Sequence, residues 1–307
     1  MLVSTSTAQI FRLFGIDGGF KMIADAGFDA VDFGFDLDVP MWRIHRGEKD
    51  GIFFESEEKL LEHYAPYKAA ADKYGVKIHQ AHAPFPSYMQ GDAETTAFAL
   101  EAIKKCFPLL KMMDCHYLVV HPCFGNYDET LEDEDEWKLN IDFYSALIPD
   151  AKKYDVIVCL ENMFTAHRRK IHEAICQDPN EAAAYVDELN DIAGEKRFGF
   201  CYDTGHALLV GKDQYRTLKQ LGDRVDVLHV QDNDGKDDQH VAPFMGVLDW
   251  ERFAKGLKAI GYKGTINLEV GNLCAWYPVE LLADAYTLAA KCAKYIGSLV
   301  EKDEGKS

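Results

Sequence analysis

Eight short apolar runs of strand type alternate along this chain with longer amphipathic stretches, and that alternation restricts the fold more than any other feature. The runs are Leu2–Thr7, Ala30–Phe35, Val76–His82, Tyr117–His121, Val156–Asn162, Phe198–Asp203, Val225–Gln231 and Thr265–Val270. Helical patterns lie between them at Glu55–Tyr74, Ala93–Met113, Glu134–Tyr154, Asn180–Leu189, Gln214–Leu221, Trp250–Ile260 and Val279–Ile296. Tyr74-Gly75 and Ile260-Gly261 read as helix ends closed by glycine before the next strand. Parallel strands with crossover helices follow from this pattern. No linker rich in Pro, Gly or Ser divides the chain, so the expected fold is a single (β/α)8 TIM barrel over residues 1–300, with a polar tail over 301–307.

The 33 Lys and Arg residues against 51 Asp and Glu give a formal net charge of −18, a field that repels nucleic acid and acidic membrane surfaces. Small uncharged or metal-held substrates fit better. No window approaches the length of a membrane span, and the first residues lack a basic segment followed by an apolar one, so a cytoplasmic protein is expected. The eight cysteines are scattered without a CxxC pair, which suggests neither a zinc ribbon nor a disulfide framework. Cys159 and Cys201 read as core residues, whereas Cys123, after His121-Pro122, is placed to reach a site.

In a barrel of this kind the C-terminal strand ends and the loops after them carry the chemistry. Here they carry imidazoles and carboxylates in succession. They are His82, His121, Glu161, Asp203 with His206 just beyond, His229 with Asp232, then Asp238 and His240, and finally Glu269. A single strand-end histidine is more often a hydrogen-bonded structural residue than a ligand. Collectively the pattern demands more, because carboxylates converging on one mouth without a cation would repel one another in a partly dry cavity. A divalent ion is therefore expected, with Mn²⁺, Mg²⁺, Co²⁺ and Zn²⁺ all open. Glycine-rich phosphate loops, GxSxG elbows and HExxH helices are missing from the strand-to-helix junctions.

The segments HAPF (82–85), HP (121–122), LEN (160–162), DTGHA (203–207), HVQDNDG (229–235), the DxH of 238–240 and LEV (268–270) together resemble the xylose-isomerase-like sugar isomerase/epimerase superfamily of barrels. That superfamily also holds ketose 3-epimerases, inosose dehydratases and endonuclease-IV-type enzymes. The resemblance implies metal ligation by Glu161, Asp203, His229 and Glu269, with Glu161 and Glu269 as the proton-transfer pair. It places His82, His121, His206, Asp232, Asp238 and His240 at the substrate or at further metal ions. Trp42, Phe85, Phe164 and Trp276 are candidate pocket walls, and self-association is a further expectation for acidic barrels of this type.

The activity implied is metal-dependent isomerisation or epimerisation of a sugar or sugar phosphate through an enediolate. Loss of a β-hydroxyl from the same intermediate would instead make the protein an inosose or keto-polyol dehydratase. An endonuclease-IV-like phosphodiesterase on abasic DNA ranks third. The charge of −18 opposes that third reading, and the basic clusters Arg43/Arg46/Lys49 and Arg168/Arg169/Lys170 favour it.

Overall fold

The computed structural model describes residues 1–48, 51–125, 131–168 and 170–302, so Lys49, Arg169 and most of the expected tail lie outside the described residues. Among the described residues there are ten strands: β1 Val3–Ser6, β2 Ala30–Gly34, β3 Lys77–His82, β4 Tyr117–Val119, β5 Ile157–Glu161, β6 Phe164–His167, β7 Lys170–Glu173, β8 Phe198–Asp203, β9 Val225–His229 and β10 Ile266–Leu268. Eight of them form one parallel sheet in the order β10-β1-β2-β3-β4-β5-β8-β9. A parallel bridge from Val230 to Leu268, with Val230 N–H donating to the Asn267 carbonyl and Glu269 N–H to that of Val230, joins its two edges. The fold is the expected single TIM barrel.

The strands are short and β-branched or aromatic because both faces are covered, by helices outside and by side chains within. Val119, Cys159, Cys201 and Val227 form a small cluster of their own among these strands. The main core lies between sheet and helices, where Phe33, Tyr64, Phe107, Phe198 and Tyr286 are fully buried. Helices start on side-chain caps, with Ser56, Asp92, Asp178, Asp213 and Asp249 each accepting a hydrogen bond from a backbone N–H in the first turn. Gly75 closes the helix Glu57–Tyr74 in the left-handed region at φ 69°, as its place in the sequence suggests. Among the described residues no helix is long and apolar enough to cross a membrane.

Three local differences from the sequence reading matter. The helix Ala8–Ala26 is broken at Gly15, whose φ of 67° interrupts the period that would have marked it. The stretch Glu134–Tyr154 is two helices, Asp133–Ser145 and Ile148–Tyr154, and the loop after β5 holds the antiparallel hairpin of β6 and β7. That hairpin rises beside the barrel mouth and enlarges it.

Candidate functional site

The barrel geometry brings the strand-end groups together. Glu161, Asp203 and His229 end β5, β8 and β9, and Glu269 follows β10 by one residue. Each offers one ligand atom within 4.8 Å of those of the others. His229 and Asp203 are wholly buried and Glu161 is 1% exposed, whereas the Glu269 side chain keeps 23% exposure. Glu161 Oε2, Asp203 Oδ2 and Glu269 Oε2 are buried and have no hydrogen-bond partner.

Four imidazoles are oriented by what their second nitrogen touches. His229 Nε2 lies 3.0 Å from Asp32 Oδ2, to which its N–H donates, and Nδ1 lies 3.0 Å from Glu161 Oε1 and 3.5 Å from Glu269 Oε2. For the other three, Nδ1–H donates to a backbone carbonyl: His82 to Ala83 at 2.8 Å, His206 to Asn162 at 2.9 Å and His240 to Glu269 at 3.1 Å. Their Nε2 atoms then face other ligand-type atoms. His82 Nε2 lies 2.9 Å from His121 Nε2, which is 3.2 Å from Glu161 Oε2. His206 and His240 both turn Nε2 toward Asp238 Oδ2, at 3.8 and 2.8 Å. Two further groups of possible ligands result, His82/Glu161/His229 and His206/Asp238/His240, overlapping or adjoining the first.

Burial opposes charging of the imidazoles, but the carboxylates beside them raise the pKa of His206 and His229 and push that of His240 up to about 9, so the crowded carboxylates hold positive charge on the histidines. Burial raises the pKa of Asp203 and Glu269, and each is pushed further by neighbouring carboxylates, Glu161 among them. Burial also opposes ionisation of Glu161, but His229 and His121 outweigh it and hold its pKa well below the usual range. His82 is pushed down to about 4 by burial and by His121 and His229 beside it, which keeps its Nε2 available as a lone pair. Crowded carboxylates with unpaired oxygens, and imidazole nitrogens turned toward them, are a donor set that fits a divalent cation.

The cluster forms the floor of a cavity of about 560 Å³. Asp32, Asp36, His82, Phe85, His121, Glu161, Phe164, His206, Asp238, His240 and Glu269 line it, and among the described residues no lysine or arginine does. Of the expected aromatic walls, Phe85 and Phe164 are in place, while Trp42 and Trp276 stand about half exposed outside the lining, where Met41 and Phe124 substitute for them. Asp232 does not reach the site. Both its oxygens are consumed by a loop, accepting from the N–H groups of Asn233, Phe244 and Leu248 and from Trp250 Nε1. Cys123 is likewise buried away from the cavity, its N–H donating to Asn140.

Two site residues were not singled out from sequence. Asp32, 2% exposed, accepts from His229, Gln80 and Asn267. The signal for it was present as a carboxylate inside the otherwise apolar run AVDFG. Gln231, fully buried, donates to Asp238 at 2.7 Å, and a Cβ on Gly205 would lie 2.1 Å from its amide carbon, so glycine there lets Gln231 in.

Residues 20–287 match the model of the family described as xylose isomerase-like TIM barrel. Among solved structures, the chain is similar to a D-tagatose 3-epimerase-like protein, at 20% identity over 98% of both chains with a TM-score of 0.73. It is also similar to the IolI protein with a bound zinc atom, at 18% identity over 100% of both chains with a TM-score of 0.66. The uncharacterized protein MJ1311 of Methanocaldococcus jannaschii is 26% identical over 213 residues, 66% of this chain and 67% of the relative. The match to y4fM of Sinorhizobium fredii, 39% identical, spans 71 residues and only 23% of either chain. By the extent of the family match, and in keeping with the barrel and its strand-end residues, this chain belongs to the xylose isomerase-like TIM barrel family.

Proposed function

We propose that the protein is a divalent-metal-dependent isomerase or epimerase of an uncharged sugar, acting by proton transfer at a carbon beside a carbonyl. The observation that carries this reading is the placement of Glu161 and Glu269 in one four-residue ligand cluster, both lining a cavity with no lysine or arginine among its described lining residues. Glu161, Asp203, His229 Nδ1 and Glu269 would hold the ion. When bound, it supplies positive charge that favours the enediolate over the parent hydroxycarbonyl compound.

The chain's own residues do the rest. Glu269 has the most exposed side chain of the cluster carboxylates, and with its buried, unpaired Oε2 serving the ion its other oxygen would take a proton from substrate carbon. Glu161, on the neighbouring side of His229, is placed to return a proton. Return to the opposite face epimerises and return to the adjacent carbon isomerises. His206 and His240, near the rim, are placed to orient hydroxyls, and Phe85 and Phe164 offer apolar faces to the sugar's C–H surface. The names of the similar structures, a 3-epimerase-like protein and a zinc-bound protein, support the reading. The same donor set serves a dehydratase if the substrate bears a leaving β-hydroxyl.

A second reading, phosphodiester hydrolysis, has a specific observation in its favour: the three ligand groups could hold more than one ion. The net charge of −18 opposes it, and among the described residues no lysine or arginine lines the cavity to meet a phosphate. Elemental analysis followed by chelation tests both. Activity on ketoses that disappears with chelator and returns with Mn²⁺ or Zn²⁺ is the expected result. Three ions per chain with cleavage of abasic DNA and no activity on any ketose or inosose would replace the proposal with the second reading.

A further inference from the structure

The four cluster ligands end or follow β5, β8, β9 and β10, which are consecutive in the closed barrel and claim one half of its mouth. In the other half, just past β1 and β2, Gln9 and Asp36 also line the cavity of about 560 Å³. Proton transfer at the cluster gives neither of them a task. A glycine makes room for Asp36. Gly34 has φ −83°, open to any residue, so space rather than conformation is what the glycine supplies. It shares the inward face of β2 with Asp32, and a Cβ there would lie 2.6 Å from Asp36 Oδ1. Without one, the carboxylate folds back over the strand end. The Asp36 side chain keeps 44% exposure, so a molecule in the cavity can reach it. Arg12, outside the lining, holds both residues. It donates from Nη2 to the Asp36 carbonyl at 3.1 Å and from Nη1 to Gln9 Oε1 at 3.4 Å, and Nη2 lies 3.5 Å from Asp36 Oδ2. Burial raises the pKa of Asp36, while Arg12 favours its charged form.

An ionised carboxylate accepts hydrogen bonds and cannot donate them, so Asp36 selects a donor. A cationic group gains little there, because Arg12 already offsets the charge. A phosphate brings negative charge and meets repulsion. Hydroxyls suit both residues, donating to Asp36 and accepting from the Gln9 amide N–H groups, since the Gln9 oxygen is engaged by Arg12. We infer that Asp36 and Gln9 form a specificity subsite for neighbouring hydroxyls at the end of the sugar remote from the metal-held carbons, with Asp36 discriminating against a phosphate there. This rests on the proposed proton-transfer reading for the metal-held end and adds the distal one.

Titration calorimetry on the full chain with its divalent metal restored tests the subsite. The probes are D-psicose, D-fructose, D-sorbose and D-tagatose, their 6-phosphates, and the 4-, 5- and 6-deoxy analogues of the ketohexose that binds most tightly. Asp36→Ala should weaken that ketohexose by about 10-fold or more, as loss of a hydrogen bond to a charged group does. The same change should strengthen its 6-phosphate, because a repelling charge is gone and Arg12 is released to meet the phosphate. At least one deoxy analogue should bind the parent about 10-fold more weakly and lose less than about 3-fold more in the variant, since its hydrogen bond is already missing. Asp36→Asn keeps the shape and an accepting oxygen. It should recover part of the loss on the ketohexose and still bind the 6-phosphate better than the parent does. Equal losses on the ketohexose, its 6-phosphate and every deoxy analogue would mark a structural role and overturn the subsite. So would a parent that binds the 6-phosphate more tightly than the ketohexose, or that binds none of the probes. Solvent deuterium uptake, measured in parallel, separates the two claims. Uptake with uniform losses removes the subsite alone, and opposite effects on sugar and phosphate without uptake by any probe remove the proton-transfer reading alone.

Discussion

At the scale of single residues, the site is governed by what holds each imidazole rather than by the ligands alone. Asp32 fixes His229 with Nε2–H outward and Nδ1 toward the cluster, the arrangement in which a buried carboxylate raises the basicity of a ligating histidine. Asp32→Asn should therefore lower metal affinity by about 10- to 100-fold, as measured by competition with a chromophoric chelator. Unchanged affinity would show that His229 needs no such partner. The strand-end ligands were readable from sequence because the barrel rule says where to look, whereas Asp32 precedes the end of its strand and escapes that rule. Asp232 shows the reverse. A carboxylate three residues past His229 has the spacing of a ligand, yet its side chain faces a loop, a fact that depends on three donors 12, 16 and 18 residues further on.

At the scale of elements, loops shape the mouth and their supports are polar. Asp232 pins the segment 241–250 from beneath, so Asp232→Ala should cost about 2–3 kcal/mol in denaturant unfolding by leaving several donors unpaired. A loss under about 0.5 kcal/mol, within the range of an ordinary surface change, would contradict that role. The helix Asp133–Ser145 carries Glu136, whose pKa is raised to about 7 by burial and then by Glu181 and Asp133. A carboxylate with its folded pKa above the unfolded value of 4.5 contributes stability below the latter and loses it as pH rises through the former. Glu136→Gln should match the parent near pH 4.5 and exceed it above about pH 7 in thermal unfolding, by an amount that solvent screening limits. A pH-independent difference would count against the shift. The strands and most helices were legible because their periods are regular. The β6–β7 hairpin was not, since FTAHRRKIHE has no strict alternation and its strands are mostly half-exposed.

At the scale of the whole molecule, barrel closure turns scattered strand ends into a single site. Residues as far apart as Asp32 and Glu269 meet because β1 joins β10 to β2. The architecture was legible from eight repeated units and the absence of a linker. The cavity was not, because its walls come from loops whose course no local pattern specifies. The net charge of −18 and a cavity without lysine or arginine among its described lining residues agree in favouring an uncharged substrate. Proton transfer by Glu269 is the central claim, and carbon-bound deuterium incorporation into ketoses and inososes in D₂O tests it most directly. With metal restored, the parent protein should incorporate deuterium at a carbon beside the carbonyl. Glu269→Gln, which keeps a ligating oxygen but cannot take the proton, should still bind metal and exchange at least about 100-fold more slowly. Exchange by Glu269→Gln at the parent rate, or no exchange by the metal-loaded parent on any of these substrates, would contradict the assignment.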